Sequence, residues 1–186
     1  MSWAIWITGL PGSGKTTVAR GVARALGDRG VRVSVLELAA VRQALLGGRQ
    51  ETERERDIVH RALAYTAKAL TDAGVPAIID ATAPRREWRE WARALISHFG
   101  EVQLLCPLDV CTTREREERW LNPGSEVATG PDLVVDDEVS LRPDLAIDTH
   151  AHGAWIVVDD VLRLAQHLQQ VAAANSGTKE RSHASA

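Results

Sequence analysis

Gly9-Leu10-Pro11-Gly12-Ser13-Gly14-Lys15-Thr16 matches G-x-x-x-x-G-K-[ST] at every fixed position. The match lies between an apolar run at 3–8, Trp-Ala-Ile-Trp-Ile-Thr, and a segment at 16–26 in which Val18, Val22, Ala25 and Leu26 recur at helical spacing. In a strand, loop, helix context this pattern binds phosphate. The glycines let successive backbone N–H groups turn inward, and the helix N-terminus adds a partial positive charge. Lys15 is one of three lysines among 22 basic residues, so its presence in the motif is not an accident of composition. Lys15 is expected to reach the β- and γ-phosphates of a nucleotide, Thr16 to coordinate Mg2+, and Thr17 to be an adjoining phosphate contact.

Working outward, Gly27 and Gly30 stop the first helix, and Val31 to Leu36 reads as a second strand followed by a short helix with Val41, Leu45 and Leu46. The charged stretch Glu51 to Asp57 opens a long helix to about Asp72 as a solvated first turn, and Gly74 ends it. Val75 to Ile79 is a buried type of strand ending in Asp80. Pro84 then starts a helix with Trp88, Trp91 and Leu95 on one face. A strand at Val102 to Cys106 precedes an arginine- and glutamate-rich helix to about Trp120. Asn122 to Pro143, rich in Gly, Pro and Asp, reads as a mobile loop region. Leu145 to Ile147 and Trp155 to Val158 are short apolar runs, and 160–173 reads as a terminal helix. The alternation predicts an α/β fold, a single domain over 1–174 with a five-stranded parallel sheet flanked by helices, and a disordered tail at 175–186. Ligands of such sheets bind at the carboxyl ends of the strands, which directs attention to Gly9–Thr17, Glu37, Asp80 and Pro107 to Asp109.

A chain of 186 residues, 45% hydrophobic and 25% charged, is ordinary for a soluble globular domain. Its net charge of −3 supplies no field to attract nucleic acid or anionic lipid, and its apolar runs are far too short to span a bilayer. The N-terminus lacks a basic n-region and a cleavage site, so a signal peptide is not expected. Cys106 and Cys111 are too few for a disulfide framework and poorly spaced for zinc, which fits a reducing cytoplasm. His150 and His152 form H-x-H without a third ligand, and the tryptophans at 3, 6, 88 and 91 are expected in the core. With no N-K-x-D guanine motif, a small-molecule or nucleotide kinase is the leading class.

The sequence resembles adenylyl-sulfate (APS) kinases over most of residues 3–149. GLPGSGKTT resembles that family's phosphate loop, and LELAAVRQAL, Leu36 to Leu45, stands at the place of its L-D-G-D-x-x-R-x-x-L segment. Arg56 stands where the family has the arginine of its D-R pair. Ala73-Gly74, FGEVQLLCPLDVCTTRE from Phe99 to Glu115, and Arg142-Pro-Asp-Leu-Ala-Ile-Asp-Thr149 are similar to further family segments. The resemblance implies an ATP- and Mg2+-dependent kinase acting on a small anionic acceptor, APS first. Gly9 to Thr17 and Arg114 would hold the nucleotide, and Arg42 and Arg56 the acceptor.

The departures fall on the acceptor side. Glu37 and Ala39 replace the two aspartates of D-G-D, Val59 replaces the asparagine three positions after Arg56, and the lid segment reads Glu115-Arg-Glu-Glu-Arg-Trp120. The stretch IIDATAPRREWREWAR resembles a wider group of P-loop kinases, including polynucleotide-kinase-like ones, in which an Asp ends the strand. Asp80 or Glu37 is therefore expected to supply the carboxylate that orients the acceptor hydroxyl, with Asp80 also near Mg2+. Arg114, Arg116 and Arg119 are candidates to neutralise charge or stack on adenine. Two alternatives stay open: a related kinase for another small alcohol or nucleotide, and an ATP-binding regulatory protein without transfer. The sequence leaves a homodimer open as well.

Overall fold

The computed structural model describes residues 2–47, 51–121 and 138–183. Its strands are β1 (Ala4–Gly9), β2 (Ser34–Glu37), β3 (Ala77–Asp80), β4 (Phe99–Leu105) and β5 (Leu145–Asp148). Its helices are α1 (Lys15–Gly27), α2 (Leu38–Leu46), α3 (Glu53–Asp72), α4 (Arg86–Leu95), α5 (Leu108–Leu121) and α6 (Ala154–His183). The strands form one parallel sheet in the order β2-β3-β1-β4-β5, so the expected five-stranded parallel architecture is observed.

β1 is central and buried on both faces, and its period of two sorts its side chains between two cores. Trp3, Ile5 and Ile7 pack with Val18 and Val22 of α1 and Val157, Val161 and Leu168 of α6. Ala4 and Trp6 pack with Leu63 and Ala67 of α3 and Trp88 and Ala92 of α4. Trp3, Trp6 and Trp88 are fully buried as expected, whereas Trp91 lies at the margin of the second core under the Arg61 guanidinium, 5.3 Å from its ring.

Several boundaries differ from the sequence reading. β4 begins at Phe99, three residues earlier than expected, and Gly100 within it lies against Leu164 and Leu168, whose methyl groups would stand 3.1 Å from a Cβ there. Trp155 to Val158 belongs to α6 rather than to a separate apolar segment, with Val157 and Val158 facing the core and Trp155 exposed. α6 continues through His183, so residues 175–183 are helical where a disordered tail was expected. The loop region expected over 122–143 lies outside the described residues up to 137. Beyond that point Glu138 and Ser140 are fastened to the core. The fastening is a buried ionic cluster: Arg89 on α4 pairs with Glu101 on β4 at 2.8 Å and also donates to the carbonyls of Ala83 and Glu138. Ser140 donates to the same Glu101 carboxylate, and Arg93 joins Glu101 to Asp144.

Candidate active site

The turn from β1 into α1 carries Leu10 to Gly14, with Lys15 as the first helical residue. Gly12 has φ +76°, and a Cβ there would sit 2.3 Å from the carbonyl oxygen of Cys111 on α5. The position therefore admits only glycine, both for its backbone angle and for the close approach of α5. Gly14 caps α1 with φ +97°, leaving the first N–H groups of the helix without intrahelical acceptors. Lys15 is buried, and its Nζ donates to the carbonyls of Gly9 (3.1 Å) and Leu10 (2.9 Å), which holds the cation inside the loop. Ser13 Oγ, also buried, has no hydrogen-bond partner among the described residues. Thr16 and Thr17 are exposed at the mouth.

A cleft of about 380 Å³ opens beside this loop. Ser13, Gly14 and Thr17 form one wall, and Arg114, Thr149, His150 and His152 contribute to the other. The far wall is built by the turn that follows β5. Thr149 Oγ1 donates to the Ser13 carbonyl (2.9 Å), and Asp148 Oδ1 accepts from the backbone N–H groups of His150 (2.8 Å) and Ala151 (3.0 Å). Those two N–H donors hold the exposed Asp148 carboxyl below its ordinary range. Arg114 points inward from α5, donating to the Thr149 carbonyl (3.2 Å) and toward Cys106 Sγ (3.6 Å). Arg116 on the same helix is exposed, and the Arg119 side chain lies outside the described residues.

Asp80 ends β3 and is the register partner of Ile7 in β1 and Glu37 in β2. Its carboxylate is buried, with the Thr16 side chain beside it. Burial pushes its pKa above the usual carboxylate range, with Glu37 adding to the rise, while Thr16, Lys15 and Arg20 oppose it. Glu37 is turned to Arg20, which donates from Nε (3.1 Å) and Nη2 (2.9 Å).

Arg42 on α2 and Arg56 on α3 are brought together, and both donate to one oxygen of Glu51, each at 2.9 Å. The local cause is a capping box. Thr52 Oγ1 accepts from the Glu55 N–H (3.3 Å) and Glu55 Oε2 accepts from the Thr52 N–H (2.9 Å), which fixes the entry into α3. Glu51, expected in a solvated turn, is instead one of the most enclosed carboxylates, with 6% of its side chain exposed. Sequence reading missed it because its partners lie nine and five residues away in separate helices. The T-x-x-E box beside it was the available signal.

His60 was also not singled out. It is buried between Trp6 and Trp88, with ring centroids 6.5 and 3.8 Å away. Its Nδ1 lies 2.7 Å from the Arg56 carbonyl and its Nε2 2.9 Å from the Thr82 carbonyl. It thereby ties α3 to the turn that follows Asp80. Cys106 and Cys111 are free thiols, and burial pushes the Cys111 pKa up to about 12, with Cys106 adding to the rise. Among the described residues no group of three or more His, Cys, Asp or Glu is assembled for a metal, and no helix is long and apolar enough to cross a membrane.

Comparison with known proteins bears on the family. The adenylylsulphate kinase family model matches residues 1–122. A probable adenylyl-sulfate kinase of Archaeoglobus fulgidus is 39% identical over 150 residues, covering 80% of this chain and 97% of its own. The adenylyl-sulfate kinase of Halothermothrix orenii is 40% identical over 111 residues, 60% of each chain. Among solved structures, the Mycobacterium tuberculosis APS kinase CysC in complex with AMPPNP and APS superposes with a TM-score of 0.75 at 26% identity, covering 89% of this chain and 98% of that one. With the family model spanning residues 1–122 and a relative of 39% identity covered over most of its length, the chain belongs to the adenylylsulphate kinase family.

Proposed function

We propose that the protein transfers the γ-phosphoryl group of ATP to a hydroxyl of adenylyl sulfate. The observation that carries this reading is the placement of three things around one sheet edge: the phosphate loop, the Asp80 carboxylate at its rim, and the Arg42–Arg56 pair beyond it. Such a transfer requires positioning and charge stabilisation more than covalent chemistry. The loop N–H groups and Lys15 hold the β- and γ-phosphates. The orphaned Ser13 hydroxyl suits a further phosphate contact, and Arg114 and Thr149 enclose the nucleotide on the β5 side.

Asp80 orients the acceptor hydroxyl and takes its proton. Lys15 and Thr16 offset the burial that opposes its ionisation. The Thr16 hydroxyl and the Asp80 carboxylate are a hard-oxygen donor pair, which suits Mg2+ when phosphates and waters complete its shell. When bound there, the ion would neutralise charge on the phosphates. Arg42 and Arg56 bind the acceptor's anionic groups.

Ala39, where the family carries a carboxylate, favours a second reading in which the acceptor is another small alcohol or nucleotide. Coupled ADP release, measured across an acceptor panel with no-acceptor controls, separates the two. APS-dependent release supports the proposal. Release with a different acceptor supports the second reading, and release with none favours an ATP-binding protein without transfer.

A further inference from the structure

The turn that follows β5 closes the cleft with a histidine whose ring is held by the end of the strand. Asp148 organises the turn: its Oδ1 accepts from the N–H groups of His150 and Ala151, and its main-chain carbonyl accepts from the His152 N–H at 3.2 Å. The same carbonyl lies 3.0 Å from His152 Nδ1. Thr149 ties the turn to the glycine-rich loop through the Ser13 carbonyl. His152 stands three residues farther on, at most about 10 Å along an extended chain, and both residues line the cleft.

That contact fixes the tautomer. A carbonyl oxygen only accepts, so Nδ1 carries the proton and donates. In the neutral ring Nε2 is then a bare acceptor, and it has no hydrogen-bond partner among the described residues. His150 also lines the cleft, but only its main-chain N–H is engaged, so its ring presents no fixed edge. Val18, Ala154 and Val157 give the cleft apolar surface and Arg114 a planar guanidinium, a lining that suits the flat face of a purine. Its volume of about 380 Å³ lies within the range of small-ligand pockets.

We propose that His152 selects the base of the nucleotide, its Nε2 accepting a hydrogen bond from the exocyclic amino group of adenine. This rests on the reading that the nucleotide lies with its phosphates at the glycine-rich loop, which puts the base on the β5 side of the cleft. Adenine carries a donor at that ring position, whereas guanine carries a carbonyl oxygen there. Two acceptors facing each other repel and leave both without a partner, so the nitrogen that favours adenine disfavours guanine. The selection needs no movement of the turn, because Asp148 holds the ring in place before the nucleotide arrives.

The test measures binding of ATP, GTP and purine riboside triphosphate, which is ATP without the amino group, by calorimetry in wild type, His152→Phe and His152→Gln. The amino group and the histidine are thus removed one at a time and together. Wild type is expected to bind ATP about three- to tenfold tighter than purine riboside triphosphate, the scale of one neutral hydrogen bond, and GTP more weakly than ATP. His152→Phe keeps a ring without a nitrogen, and is expected to bind ATP and purine riboside triphosphate alike and to narrow the gap to GTP. His152→Gln, whose side-chain oxygen accepts, is expected to recover part of the preference, which a merely structural role would not produce. Both variants should melt near wild type, since the side chain is exposed. A preference unchanged in His152→Phe, or absent from wild type, overturns the proposal and leaves the nucleotide reading in place. A wild type that binds none of the three overturns both.

Discussion

Glu37 and Asp80 are register partners at the carboxyl ends of adjacent strands, yet they are held by different groups. Arg20 engages Glu37 outside the loop, while Thr16 at the start of α1 engages Asp80. That division assigns the two carboxylates different work. Asp80 is buried beside the glycine-rich loop. Glu37 forms a partly exposed ion pair of the kind that contributes little to stability.

Asp80→Asn is expected to lower kcat by roughly 10² to 10⁴, and Glu37→Gln by less. The stability effect runs the other way. A folded-state pKa raised above the unfolded value gives stability that is present below the unfolded pKa and lost as pH rises through the folded one. At neutral pH the ionised Asp80 therefore opposes folding, and Asp80→Asn should melt at the same temperature as wild type or higher. Normal turnover in this variant, with a dead Glu37→Gln, would transfer the role to Glu37.

Gly12→Ala places a methyl group against the Cys111 carbonyl and forces a side chain into a backbone region it disfavours. The expected loss is about 1–3 kcal/mol of stability. Nucleotide affinity should weaken with it, because the loop and α5 must separate. Fluorescent ATP-analogue titration with parallel urea unfolding checks both, and wild-type affinity would show that the close approach is not required.

Arg89→Met leaves Glu101 buried without its main cation and releases the carbonyls of Ala83 and Glu138. Breaking such a pair from one side costs about 3–5 kcal/mol. Adding Glu101→Gln should recover part of the loss, since the uncompensated charge is then gone. Urea denaturation of the single and double variants distinguishes this from a simple packing defect, in which the second change would add to the loss.

His60 has its pKa lowered by burial, against the opposing pull of the Thr82 and Arg56 carbonyls. A histidine lowered in the folded state favours folding above its unfolded pKa of about 6.5, and that stability is lost as pH falls through the folded value. Wild type should therefore lose melting temperature on acidification below about pH 6.5 more steeply than His60→Gln does. Parallel curves for the two proteins would show that His60 does not titrate with folding.

The sheet and the glycine-rich turn were legible because each is carried by a contiguous stretch, an apolar run and a glycine pattern. The place of Asp80 at the end of β3 was legible because the apolar run Val75 to Ile79 stops at it. What escaped was assembled across the chain. Glu51 looks solvated beside Glu53, Arg54 and Glu55, and only the crossing of α2 with α3 encloses it. Arg89 and Glu101 stand twelve residues apart on a helix and a strand, with residues 138–144 closing over the buried pair they form. The tail from Asn175 reads as disordered from its composition and terminal position, yet α6 continues through Asn175, Ser176 and Gly177, poor helix formers whose local preference it overrides.

The most direct measurement follows the label from γ-radiolabelled ATP, with APS as acceptor, in wild type and Lys15→Ala. Wild type should place the label on APS in step with ADP formed, and Lys15→Ala should fold normally and transfer it on the order of 10² or more times slower. Label appearing only as inorganic phosphate, or equal transfer by both proteins, would contradict a phosphate loop that directs phosphoryl transfer to APS.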